Sequence, residues 1–190
     1  MTAFDPDYAI DSSKVDNYRS TRGAEAYRQD HEQKLHRRWS TRRELAIYER
    51  MLRDFPKLDS AIDIPSGFGR LQPLLRQFVG TRLIEADFSQ EMLDLVDTSS
   101  EKPAIETLQC SALDIPLADR EVDLAFSIRL NHHLESVDAR ENHLREIFRI
   151  ANVAAIVTWF SANSLKHRLR EVRRMWSSKR SKNVLHDREV

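Results

Sequence analysis

A single cysteine, Cys110, stands in 190 residues, so no internal disulfide can form. A lone thiol is consistent with a reducing compartment. Glycine is scarce, at four residues, and charged residues make up 32%, which suits a helix-rich surface. Neither sign of charge is in excess, because thirty basic residues cancel thirty acidic ones. No global field therefore argues for nucleic acid or a membrane surface as partner. The longest apolar run, Val153 to Phe160 interrupted at Thr158, is far too short to span a bilayer. The opening Met-Thr-Ala-Phe-Asp-Pro-Asp has no basic-then-apolar signal pattern. The expectation is a cytoplasmic protein with one domain-sized core. There is no GxxxxGK[ST] loop, no GxSxG elbow and no Cys–His spacing for zinc, and no metal is expected.

What is present is Ser60-Ala-Ile-Asp-Ile-Pro-Ser-Gly-Phe-Gly-Arg-Leu-Gln-Pro-Leu-Leu75. An apolar run ends in Asp63, a turn carries Gly67 and Gly69, and a helix-like stretch follows. This reads as strand, tight loop, helix. Such a loop presents backbone N–H groups to a phosphate, carboxylate or ribose, and its glycines let the backbone approach. A dinucleotide fingerprint needs a third glycine where Gln72 stands, so a nicotinamide cofactor is not expected. An acid should follow about 20 residues on, at the end of the second strand. Asp87 occupies that place, and Ser89 then caps Gln90–Val96.

Asp63-Ile-Pro-Ser-Gly-Phe-Gly69, then Glu85-Ala-Asp-Phe-Ser-Gln-Glu-Met-Leu93, resembles the first two motifs of class I S-adenosylmethionine (SAM) dependent methyltransferases. Cys110-Ser-Ala-Leu-Asp-Ile-Pro-Leu117 with Glu121-Val-Asp-Leu-Ala-Phe-Ser127 is similar to that family's adenine loop and fourth strand. The resemblance covers residues 58 to 160. It implies SAM as cofactor and a Rossmann-like fold, and the alternation of strands and helices implies a doubly wound, mostly parallel α/β sheet of about five strands. The pair of strands that completes the family's usual seven is not visible in the sequence. That would leave the fifth strand as an edge, so either the chain is a fragment, or a partner, a second copy or the last helix covers it.

In chain order, 1–57 reads as an arm and helical lid, 58–162 as the SAM-binding core, and 163–190 as a basic amphipathic helix. Helical composition runs from Gly23 to Arg38. Thr41-Arg-Arg-Glu44 matches a capping box that opens a second helix. Strands are expected at Ala61–Ile64, Arg82–Ala86, Ile105–Gln109, Val122–Ile128 and Ala154–Phe160. Helices are expected at Gly69–Phe78, at Gln90–Val96 and after the cap signature Asp138-Ala-Arg-Glu141. Tyr18, Tyr27 and His31 either pack the lid on the domain or face the ligand.

The resemblance implies roles for individual residues. Asp63 reaches the cofactor's amino group. Pro65, Gly67, Gly69 and Arg70 form the turn around its methionine part. Asp87 accepts from both ribose hydroxyls, and Phe88 lies against adenine. Ser111, Ala112 and Leu113 line the adenine, with Ser111 standing where the family often has an acid. Ser127 and Arg129 follow the fourth strand, and Arg129 could hold the SAM carboxylate or an anionic substrate. His132 and His133 titrate near neutrality and could serve as general base, or be structural. Being adjacent, they are expected to point in different directions, with His133 preferred.

The function implied is methyl transfer to an oxygen, with nitrogen or carbon as lesser alternatives, of a small-molecule or sugar-containing metabolite. Arg-Leu-Asn-His-His-Leu134 is similar to a bacterial small-molecule type. Two rivals are a degenerate SAM-binding domain that acts as an interaction partner, and a nucleic-acid methyltransferase using the basic segment Lys166–Lys182.

Overall fold

The computed structural model describes residues 20–134 and 136–159. The arm with Tyr18 and the basic segment 163–190 lie outside the described residues. Ser20 caps the first helix, α1 (Thr21–Gln33), by accepting from Gly23 N at 3.1 Å. Lys34 is extended, and α2 (Leu35–Leu52) starts directly after it. Thr41 and Glu44 thus lie inside α2, and the expected capping box does not form. The helix is already under way at Arg38, whose N–H donates to Lys34 O at 3.0 Å, so no free N-terminal donors remain for a cap at Thr41.

The sheet follows as β1 (Leu58–Asp63), β2 (Val79–Asp87), β3 (Ala104–Gln109), β4 (Val122–Ser127) and β5 (Ala151–Val157). Its order is β3-β2-β1-β4-β5, with every neighbour parallel. Parallel strands need crossovers that cover both faces. Alternation along the strands divides the core accordingly. Ala61, Leu83, Leu124 and Phe126 pack on one face against Tyr48 and Leu52 of α2. Ile62, Ile84 and Ala125 pack on the other against Ile147 and Ile150. This is the doubly wound α/β sheet that the sequence implies. β5 is an edge of the described sheet.

The helices between strands are shorter than expected. α3 is Gln72–Leu75 rather than Gly69–Phe78. Gly69 has φ +75°, outside the helical region, and Gln77 N and Phe78 N bond three residues back, closing the helix with tight turns. α4 is Gln90–Leu93, capped by Ser89, which accepts from Met92 N at 3.1 Å. The last helix among the described residues, α5 (Val137–Ile150), is capped by Ser136 accepting from Ala139 N at 3.0 Å, with Asp138 in its first turn instead of at the cap. Ile150 passes straight into β5, which therefore begins at Ala151 rather than Ala154.

Candidate cofactor and active site

The sheet order reverses between β1 and β4, and open parallel sheets bind ligands outside the carboxyl ends of their strands at such a point. Asp63 closes β1 there, followed by Pro65, Ser66, Gly67 and Gly69. Gly67 has φ +58°, and a Cβ on it would meet nothing within 4 Å among the described residues. The turn is fixed from β2. Ser66 N donates to Ala86 O at 2.8 Å, and Gly67 N donates to Asp87 Oδ2 at 2.9 Å. The other oxygen of Asp87, Oδ1, accepts from Ser89 N at 3.0 Å. Each carboxylate oxygen carries a second lone pair, so Asp87 can take further donors while it holds the turn. Burial pushes Asp87 up to about 6, against the pull of the Ser89, Gly67 and Phe88 N–H groups.

α1 meets the turn through aromatic rings. Phe68 lies 6.1 Å from Tyr27 and 6.0 Å from His31, both edge-on, and His31 Nδ1 pairs with Tyr27 O. These contacts pack Tyr27 and His31 of α1 on the turn. Below, α2 sends Tyr48 edge-on against Phe126 of β4 at 5.3 Å. Glu44, one turn earlier, accepts from Arg70 Nη1 at 3.1 Å and from Nε and Nη2 of Arg129. Arg70 follows the glycine turn and Arg129 follows β4, where φ is +66° and its N–H donates to Thr158 Oγ1. The structure thus brings the two predicted arginines onto one carboxylate, a partner that sequence reasoning assigned to a cap.

The adenine-loop candidates are held from α5. His143 is fully buried and spans from Ser127 Oγ at 3.1 Å to Ala112 O at 3.3 Å. A carbonyl only accepts, so Nδ1 carries the proton and Nε2 accepts from the Ser127 hydroxyl. Burial lowers the His143 pKa and keeps the ring neutral. Asn142 Nδ2 donates to Leu113 O at 2.7 Å, and Ser111 Oγ accepts from Leu113 N at 3.2 Å. Sequence reasoning missed His143. Its signal was the stripe Ala139, His143, Ile147 on the buried face of α5.

His132 and His133 sit on a 3-10 turn, Asn131–His133. Their ring centroids are 3.9 Å apart, tilted by 40°. The expectation that adjacent rings diverge is corrected here, since the tight turn curls both to one side. Glu85 was also missed as a site residue. It is a charged side chain in the buried run of β2, two residues before Asp87 and so on the same face. In-register pairing sets it beside Asp63. Burial raises Asp63 to about 8, opposed by Arg70 and reinforced by Asp87. Burial and then Asp63 raise Glu85 well above the usual range, with Ser66 offsetting part. Space at Gly67, an acid with spare lone pairs and buried acids at the strand ends suit a ligand with a ribose and a cationic end.

The profile of the family described as Methyltransferase domain matches residues 62–158. No curated protein matches. Among solved structures, magnesium protoporphyrin IX methyltransferase from Synechocystis PCC 6803, with SAH bound, superposes with a TM-score of 0.68 at 13% identity, over 94% of this chain and 85% of that one. A SAM-dependent methyltransferase of Thermotoga maritima gives 0.58 at 18% identity, over 89% and 73%. The YcgJ protein of Bacillus subtilis gives 0.54 at 17% identity, over 63% of this chain and about half, 52%, of that one. At these identities the superpositions establish the fold.

Proposed function

This chain belongs to the methyltransferase domain family, and from that premise we propose that it methylates an oxygen of a small-molecule or sugar-containing metabolite. It is a class I SAM-dependent methyltransferase, and SAM is its cofactor. The observation that supports the site is the bond from Gly67 N to Asp87 Oδ2 beside open space at Gly67. It brings the glycine turn and the second-strand acid together at the switch point. Bound SAM supplies an electrophilic methyl on a sulfonium. In this reading Gly67 and Gly69 border its methionine part, Asp87 accepts from ribose, and the loop 111–113 lines adenine with Phe88 on its face. Arg70 and Arg129, both held on Glu44, are the cations that a ligand carboxylate would draw away from it.

Oxygen as acceptor rests on the histidine pair after β4. An alcohol must lose its proton as it is alkylated, and in this reading His133, on the loop that follows β4 and with the His132 ring centroid 3.9 Å away, takes that proton. The rest of the rate comes from alignment of acceptor and methyl. The test is SAH formation with hydroxyl-bearing and amine-bearing small molecules, in wild type and His133→Ala. Methylated hydroxyl product, slowed in the variant at unchanged SAM affinity, supports the reading. Product from amines alone overturns the choice of oxygen. Equal loss of binding and turnover moves His133 from base to cofactor loop.

A further inference from the structure

Asp63 and Glu85 are direct register partners on adjacent parallel strands. Register partners point to the same face, and the strands lie about 4.8 Å apart. Both side chains are 0% exposed, and none of their four oxygens has a hydrogen-bond partner among the described residues. Buried carboxyls are normally well bonded, so this is a strong departure at the end of the strand where the cofactor site is built.

The surroundings leave the pair under-compensated. Arg70 is the cation facing it, and Arg70 also donates to Glu44. Asp87 on β2 adds a further negative charge, although its oxygens accept from Gly67 N and Ser89 N. Ser66 sits beside Glu85, but its hydroxyl donates to Gly67 O at 3.4 Å. From α2, the Tyr48 hydroxyl is pushed up to about 12 by burial first, then by Glu44, and stays neutral. At the end of β3 the Cys110 thiol is likewise raised to about 12, by burial and then Asp87 and Asp114. β4 places Phe126 in register with Asp63, and Leu71, then Leu74 and Leu75 of α3 and Leu93 of α4, add to that face. Two carboxylates this close in such surroundings do not both ionise.

We propose that Asp63 and Glu85 share one proton in the free protein and together form the receptor for the cofactor's α-ammonium group, which displaces that proton on binding. The inference rests on the SAM reading above. It adds Glu85, which the motif resemblance leaves without a role. The exchange balances: the carboxyl O–H breaks, its proton passes to buffer, and ammonium N–H groups donate to the two carboxylates. An ammonium fits better than a sulfonium, because only the former supplies N–H donors.

The test is calorimetric titration of the 190-residue chain with SAH, and with methylthioadenosine, which lacks the amino-acid end. Each is run at pH 7 in two buffers of different ionisation enthalpy. SAH binding should release about one proton, read from the enthalpy difference between buffers, and methylthioadenosine close to none. SAH affinity should rise up to about tenfold per pH unit until the pair is ionised, and then level off. Asp63→Asn combined with Glu85→Gln removes both carboxyls, and the SAH that this variant still binds should release no proton and show a flat pH profile, whereas Glu85→Gln alone leaves the Asp63 carboxyl raised by burial. Equal enthalpies for SAH in both buffers, or equal proton release with methylthioadenosine, overturn the proposal and leave the cofactor reading intact. Absence of SAH binding by the folded wild-type chain overturns both. The wild-type series decides without any variant.

Discussion

Glu44 accepts from Arg129 Nε at 3.0 Å across 85 residues of sequence, and its other oxygen accepts from Arg70. One carboxylate of α2 thus occupies two guanidiniums that the proposed site would offer to a ligand carboxylate. Glu44→Gln should weaken the tie between α2 and the loops and make the arginines more available. SAM affinity should then rise a few-fold, and limited proteolysis between α1 and α2 should speed up. The pair residues are partly exposed, so the stability cost should be only about 0.5–1 kcal/mol. Weaker SAM binding in this variant would mean that Glu44 supports the site and does not compete for it.

Asp87 does two jobs in this account, since it fixes Gly67 N and Ser89 N and keeps lone pairs for ribose. Asp87→Ala should cost SAM about 1–3 kcal/mol, the scale of lost hydrogen bonds to a charged group. Asp87→Asn keeps the volume but turns one acceptor into a donor that faces a backbone N–H. It should lose affinity as well. An unchanged dissociation constant in both would remove Asp87 from the site.

How far the sequence carried can be judged at particular residues. The strand–turn–helix around Gly67 and the acid at Asp87 were legible because spacing and residue type are local properties. β4 was legible because a parallel strand buried on both faces reads as an apolar run. Element ends were not. β2 extends to Val79 and Asp87 through pairing with Leu58 and Gln109, which only the tertiary fold supplies. Thr41–Glu44 has the pattern of a cap but sits in mid-helix, and Glu44 is recruited by arginines far along the chain. Glu85 looked like one more residue of a strand, and its pairing with Asp63 depends on register.

His143 links the end of β4 to the adenine loop through Ser127 and Ala112. His143→Ala should destabilise the protein by about 2–4 kcal/mol in urea unfolding, because it leaves a cavity, a carbonyl without donor and a hydroxyl without acceptor. The pH sign follows from its lowered pKa. The folded ring excludes a proton that the unfolded ring takes up near 6.5, so this part of the stability is complete above that pH and is lost as pH falls below it. A His143→Ala midpoint that keeps the full wild-type loss below pH 6.5 would contradict this role.

Asp63 and Glu85 give the opposite slope. Their folded pKa values are raised, so their unfavourable ionisation is absent below the normal carboxylate range and grows as pH rises toward about 8 for Asp63. The ligand-free protein should therefore lose stability between about pH 5 and 8. Glu85→Gln should be more stable than wild type at pH 8 and should lose the Glu85 part of that slope, keeping the part that burial of Asp63 contributes. A thermal midpoint with the same pH dependence in both proteins would show that the pair does not titrate in this window.

The most direct measurement is calorimetric titration of the full 190-residue chain with SAM, with NADH as control. The glycine turn with Gln72 in place of a third glycine, Asp87 on Gly67 N, and the family match together predict micromolar SAM binding and no NADH binding. A folded chain that ignores SAM, or binds NADH in its place, would contradict the account at its centre.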